Sequence, residues 1–174
     1  MMTRAQAISY VLACAEREKP MSSSDSNQNS RSVVDLDYHF TTTVKVRLPE
    51  TDAMGIVFHG NYFTYLEVGR VEYLLNLGLA EGLRPIRDFE NVVVNAHLDF
   101  KSPARLHDVL SIDVCTQEIR HSSFTFAVRI RHKSENRLIA SGWTTHCAID
   151  DDFQPIEVPD SFRATISKYE GWGS

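Results

Sequence analysis

One run of alternating residues, then a single long helical pattern, then three more alternating runs and one apolar on both faces: this order constrains the fold more than any other feature of the chain. In the first run Tyr38, Phe40, Thr42, Val44, Val46 and Leu48 fall on one face and His39, Thr41, Thr43, Lys45 and Arg47 on the other, the period of a half-buried strand. The same period returns at Val92–Phe100, Leu110–Val114 and Phe124–Ile130. Leu138–Ile149 is apolar or small on both faces, which predicts a strand at a central place in the sheet. Ser102-Pro103, Arg120-His121-Ser122 and Ser134-Glu135-Asn136 supply turns short enough for antiparallel pairing. From Tyr62 to Leu77 the apolar residues repeat at helical spacing, with Tyr62, Phe63, Leu66, Tyr73, Leu74 and Leu77 on one broad face. Asn61 or Gly60 is placed to cap the start of this helix and Gly78 to end it. Gly69 sits mid-helix at a propensity cost of about 1 kcal/mol relative to Ala, so a strand is expected to pass very close to it. The pattern predicts an α+β domain, an antiparallel five-stranded sheet curled round one long central helix, and excludes alternating βαβ units.

A chain of 174 residues is sized for one core. Residues 21–35 are rich in Ser, Asn and Asp and cannot offset the entropy of ordering, so residues 1–36 read as a partly disordered extension. The domain is expected over 37–160, with 161–174 a tail or short helix. The apolar run Ile8–Ala15 is too short to span a bilayer, and only Arg4 precedes it as positive charge, so it half meets the pattern of a secretion signal. Acidic side chains outnumber basic ones 23 to 18, a formal charge of −5, which disfavours a nucleic-acid partner. Cys14, Cys115 and Cys147 are widely separated and fit neither a disulfide framework nor zinc-site spacing, so a cytoplasmic location is expected, with no metal and no cofactor.

Familiar catalytic strings are absent: there is no G-x-S-x-G, H-E-x-x-H, C-x-x-C, phosphate loop or G-x-G-x-x-G. What stands out is the polar insertion Pro49–Phe63, which crowds Asp52, Gly55, His59, Gly60 and Asn61 ahead of the helix. A helix start offers unpaired N–H groups and the positive end of the dipole, a place for a polarised carbonyl oxygen. Gly55 permits a tight turn that brings the Asp52 carboxylate back beside it, pairing a base or nucleophile with an electrophile stabiliser. Further along, Arg70 falls inside the apolar arc and needs a partner, which Glu67 at i−3 can supply. Each has a plainer alternative: Asp52 as a turn aspartate, His59 as a loop histidine, and Glu67 with Arg70 as a structural ion pair.

The string T-D-A-M-G-I-V-F-H-G-N-Y-F from Thr51 to Phe63, then Leu66-Glu67 and Arg70-Val71-Glu72, resembles the signature of hotdog-fold acyl-CoA thioesterases related to 4-hydroxybenzoyl-CoA thioesterase. The bacterial short acyl-CoA subgroup associated with the Tol-Pal system is the most similar. Leu98–Arg105 and Asp108 extend the resemblance, which covers about Tyr38 to Pro159. It implies a hotdog fold and hydrolysis of a short-chain or aromatic acyl-CoA to free acid and CoA. By the same resemblance, Asp52 attacks the thioester carbonyl or activates a water, the backbone N–H of His59 polarises the carbonyl, and Glu67 faces the same site. Gly55, Val57, Gly60, Asn61 and Tyr62 then line the substrate. Lys101 and Arg105, with Arg129 and Arg131 as further candidates, are available to the CoA phosphates. Two other functions fit the fold: a non-catalytic acyl-CoA-binding protein, and an acyl-CoA dehydratase or hydratase, though here the helix opens with Gly60-Asn61-Tyr62 and not with a histidine before Pro-Gly. A lone helix of about 24 Å leaves apolar sheet uncovered, so a homodimer or homotetramer is expected, with the site near the subunit boundary.

Overall fold

A computed structural model of the chain describes residues 32–80, 86 and 89–173. Most of the expected N-terminal extension therefore lies outside the described residues. Five strands, β1 (Phe40–Lys45), β2 (Glu90–Phe100), β3 (Val109–Ile119), β4 (Ser123–His132) and β5 (Leu138–Ile149), form one antiparallel sheet in the order β1-β3-β4-β5-β2. Helix α1 (Asn61–Asn76) follows β1, and helix α2 (Asp160–Glu170) closes the chain. The C-terminal segment, read from sequence as a tail or short helix, is thus helical, so the long helix is one of two among the described residues. Among these residues no helix is long and apolar enough to cross a membrane.

Helix α1 lies across β1, β3 and β4. It does so because its sheet-facing line carries Tyr62, Leu66, Gly69 and Tyr73, all buried. Gly69 is the point of closest approach, since a Cβ there would stand 2.6 Å from Ile112 Cγ2 and 3.0 Å from Val114 Cγ2. Strand β3 is therefore the close neighbour that the mid-helix glycine anticipated. Gly78 takes the left-handed conformation at φ 68° one residue past the helix cap, where an L side chain is strained. The pairing register puts Phe40 opposite Val114, and Phe126 opposite both Thr116 and Thr144, so one sheet face collects the aromatic core. Tyr73 packs edge-on to Phe40 and Phe126, while Phe162 of α2 packs against Phe89 and Phe124. Each such buried large side chain stabilises the fold by roughly 1.5–3 kcal/mol relative to exposure.

Several residues depart from the alternation and the helical wheel, Ala96 and Phe100 of the edge strand β2 among them, both exposed. Leu48, expected on the core face of the first strand, is 68% exposed, because Pro49 opens a short 3-10 turn over Leu48–Glu50 and β1 ends at Lys45. Phe63, expected on the apolar face of α1, is 45% exposed, whereas Tyr65 is buried; Arg70 is buried as its place in the apolar arc required. Strand β5 is hydrogen-bonded on both sides, as its two-faced apolar composition required, while among the described residues β2 pairs only with β5.

On the other sheet face Asp113, 1% exposed, accepts hydrogen bonds from Thr41 Oγ1 at 2.6 Å, Arg129 Nε at 2.9 Å, and Arg131 Nε and Nη2 at 2.8 and 2.9 Å. Burial pushes its carboxyl up, but these charged donors outweigh that and hold it below the usual carboxylate range. Arg129 also donates to the Val34 carbonyl and lies 4.5 Å from the Tyr38 ring centre, which pins the segment before β1 to the sheet.

Candidate active site

Between β1 and α1 the chain makes a closed loop. Thr51 bridges Val57, the Asp52 N–H donates to the Ile56 carbonyl at 2.9 Å, and the Gly55 N–H donates to the Asp52 carbonyl at 2.9 Å. Gly55 permits the reversal with φ at 70°. Asp52 caps the turn with one oxygen, Oδ1, which accepts the Met54 N–H at 2.8 Å. Its second oxygen, Oδ2, accepts from no described residue, so half of the carboxylate is committed to the turn and half is open.

The loop is fastened to α1 from below by Glu50. This side chain is 7% exposed and receives the Arg47 N–H at 2.8 Å, the Arg47 guanidinium at 2.5 and 2.8 Å, and the Tyr65 hydroxyl at 2.7 Å. Burial pushes the Glu50 carboxyl up, yet the Arg47 and Tyr65 donors bring it below its ordinary value. The Glu50 carbonyl accepts the Phe58 N–H and the Asn61 side-chain amide, at 2.9 and 2.8 Å. Sequence reasoning missed Glu50. The signal was present as Arg47-x-x-Glu50 around a proline, the spacing of a reciprocal cap on a short turn.

Helix α1 begins just past His59, with Gly60 as its N-cap. The N–H groups of Asn61, Tyr62 and Phe63 are satisfied by the carbonyls of Phe58, His59 and Gly60. Those of His59 and Gly60 donate to no described residue, so the helix start presents two free donors with its dipole behind them. The His59 ring is exposed and lies tilted against Phe58, at 4.2 Å between centres and 47° between planes. A Cβ on Gly60 would stand 2.8 Å from the Phe58 ring, so glycine lets that ring lie over the helix start.

Val57 is buried, and its N–H is taken by the Ala104 carbonyl at 2.9 Å. Tyr62 is buried against Tyr65 and Phe100. Arg105 pairs through its backbone with Ile56, which brings this exposed cation beside the Asp52 loop. Lys101 lies at the end of β2 with its ammonium 3.8 Å from Asp99. Arg129 and Arg131 are instead committed to Asp113 on the other sheet face. Glu67 is 53% exposed and holds the guanidinium of Arg70, as its i−3 position allows. No hydrogen bond joins Asp52, His59 and Glu67 to one another within the single chain. Among the described residues no group of three or more His, Cys, Asp and Glu side chains is placed to hold a metal ion.

A half-committed carboxylate in a tight loop, two free N–H donors at the start of a helix laid on an antiparallel sheet, and a basic rim are features for acyl chemistry on an ester-type carbonyl. The chain belongs to the Thioesterase-like superfamily, whose model matches residues 46–166. It is 33% identical over 105 residues to a putative esterase of Aquifex aeolicus, covering 60% of this chain and 80% of that one. It is 29% identical over 134 residues to an acyl-CoA thioesterase, YbgC, of Haemophilus influenzae, covering 75% and 96%. The crystal structure of a 1,4-dihydroxy-2-naphthoyl-CoA thioesterase from Synechocystis superposes with a TM-score of 0.66 at 22% identity, over 73% of this chain and 94% of that one, and shares the fold.

Proposed function

We propose that this protein is an acyl-CoA thioesterase of the hotdog kind, hydrolysing a short-chain or aromatic acyl-CoA to the free acid and CoA. The observation that carries this is the pair of free N–H groups at His59 and Gly60, beside a loop whose Asp52 keeps one carboxylate oxygen open. The thioester carbonyl oxygen is taken by the helix-start donors, which stabilise the charge that builds there. Asp52 then acts in one of two ways. As a base it accepts a proton from water while the water oxygen adds to the carbonyl carbon; as a nucleophile its own oxygen adds and water later releases the acid. In either route the C–S bond breaks, the electron pair leaves on the CoA sulfur, and the thiolate is protonated. Because the His59 contribution is main-chain, its imidazole is not required to react. Glu67 is a second carboxylate on the same helix, two turns inward from the donors. Arg105, and Lys101 if it leaves its exposed ion pair with Asp99, are the cations assigned to the CoA phosphates, Arg129 and Arg131 being engaged by Asp113.

A homodimer completes the site in this proposal. Strand β2 is 11 residues long and unpaired along its outer edge among the described residues, and it exposes Val93 at 51% and Phe100 at 50%. Long free edges of this sort are normally paired or covered. Thiol release measured over a panel of straight-chain and aromatic acyl-CoAs tests the function. Turnover of at least one member is expected; tight binding of acyl-CoA without thiol release identifies a non-catalytic binder, and hydration of an enoyl-CoA identifies a hydratase.

A further inference from the structure

We propose that Arg70 is a positioning residue for the Glu67 carboxylate, holding it in one orientation on the face of α1 that runs from the helix-start donors; this rests on the thioesterase function proposed above. The Arg70 side chain is 6% exposed and Glu67 is 53% exposed, so a buried cation reaches outward to a carboxylate at the protein surface. The contact is a two-point fork, Nε to Oε2 at 3.0 Å and Nη2 to Oε1, which fixes the plane of the carboxylate as well as its place.

Among the described residues only Glu67 hydrogen-bonds Arg70. Its third nitrogen, Nη1, is buried without an acceptor, so no other hydrogen bond from helix or sheet sets the direction of the guanidinium. From the sheet side the titratable group within electrostatic reach is His146 on β5, and its ring nitrogens are already engaged, Nδ1 with Asn91 at 2.9 Å and Nε2 with Thr144 at 3.1 Å. Burial first and the Arg70 charge second push the His146 imidazole down to about 3, and an imidazole in either protonation state offers the guanidinium no negative counter-charge. A stability role alone explains this badly. Burying a guanidinium is costly, and an i, i+3 pair with a half-exposed partner returns little, whereas an apolar side chain of similar length would fill the same space at no charge cost. Local conflicts of this kind are found where a function needs them. Here the benefit is a surface carboxylate that, unlike an ordinary helix Glu, does not sample several rotamers.

A double-mutant cycle in thiol-release kinetics tests the inference, using wild type, Glu67→Gln, Arg70→Met and the double variant on an acyl-CoA the wild type turns over. Arg70→Met is expected to lower kcat about 10-fold with KM changed less than about threefold, and to lower it less than about twofold further once Glu67 is Gln. Arg70→Lys, which restores the cation without the fork, is expected to recover part of the loss. Additive losses, a Glu67→Gln variant as active as wild type, or an effect of Arg70→Met on KM alone would overturn the inference. Should Arg70→Met not fold, as judged by circular dichroism, the cycle is run with Arg70→Lys, where a smaller coupling of the same sign is expected and additivity is again the overturning result. Wild-type protein that turns over no acyl-CoA removes the thioesterase function itself and this inference with it; additive losses in active proteins remove the inference alone.

Discussion

Replacing Gly69 by Ala sets two effects of opposite sign against each other. In a helix exposed to solvent the change stabilises by about 1 kcal/mol through propensity. At this position the new methyl carbon would stand 2.6 Å from Ile112 Cγ2 and 3.0 Å from Val114 Cγ2. Carbon atoms in contact sit roughly 3.5–4.0 Å apart, so helix and strand must separate by about 1 Å. Neither partner can swing aside, because both methyls belong to fully buried β-branched side chains on β3. Overpacking of a tight interior typically costs about 1–3 kcal/mol, and the displaced helix also loosens Tyr73 from Phe126. Overpacking wins, and the net expectation is a loss of about 1–2 kcal/mol. Urea unfolding of wild type and Gly69→Ala at one fixed protein concentration measures this, with the midpoint expected to fall by about 0.5–1 M for a slope of roughly 2 kcal/mol/M. An unchanged or higher midpoint would refute the close approach of α1 to β3.

Asp113→Asn removes the carboxylate that Arg129 and Arg131 share. Breaking a fully buried pair costs about 3–5 kcal/mol, and since both guanidiniums keep about a quarter of their side chains in water, roughly 2–3 kcal/mol is expected at pH 7. The Asp113 carboxyl lies below its unfolded value, so its contribution is present above that unfolded value and fades as pH falls through the folded one; the gap between wild type and variant should narrow below about pH 4. Lys101→Ala with Arg105→Ala should raise KM for acyl-CoA about 3–10-fold at low salt and flatten its dependence on ionic strength, leaving kcat nearly unchanged; a KM equal to wild type would move the phosphate site elsewhere. Val93→Lys places a charge on the free edge of β2 and should shift sedimentation towards monomer with loss of turnover. An active monomer at micromolar concentration would contradict assembly through that edge.

Four strands were legible because alternation reports directly which residues face a core, the fifth because it is apolar or small on both faces, and the mid-helix glycine reported a close strand, which the structure identifies as β3. What sequence did not show were outcomes of long-range geometry. Pro49 turned Leu48 out of the sheet by starting a 3-10 turn, and no period-2 count registers that. Tyr65 went inside despite its hydroxyl because Glu50, fifteen residues earlier, waits there as acceptor at 2.7 Å. The wheel placed Phe63 inward, but the sheet covers α1 on the line of Leu66, Gly69 and Tyr73, and Phe63 lies off that line. Of the basic residues, composition could not separate those engaged by Asp113 from those free at the loop, because Asp113 meets Arg129 and Arg131 only through the register of β3 on β4. The Asp52 loop itself was readable, since a glycine-closed turn before a helix start is a local feature.

The proposed chemistry depends most directly on the Asp52 carboxylate. Steady-state thiol release by Asp52→Asn, compared with wild type on the best acyl-CoA of the panel and with His59→Ala alongside, measures it. The carboxamide keeps the size of the side chain and can still accept the Met54 N–H, so the loop is expected to hold while turnover falls about 10²-fold or more. His59→Ala should lose far less, because the proposed donor is its backbone N–H. Near-native turnover by Asp52→Asn, or a loss in His59→Ala as deep as that of Asp52→Asn, would contradict the assignment of the chemistry to the Asp52 carboxylate and the start of α1.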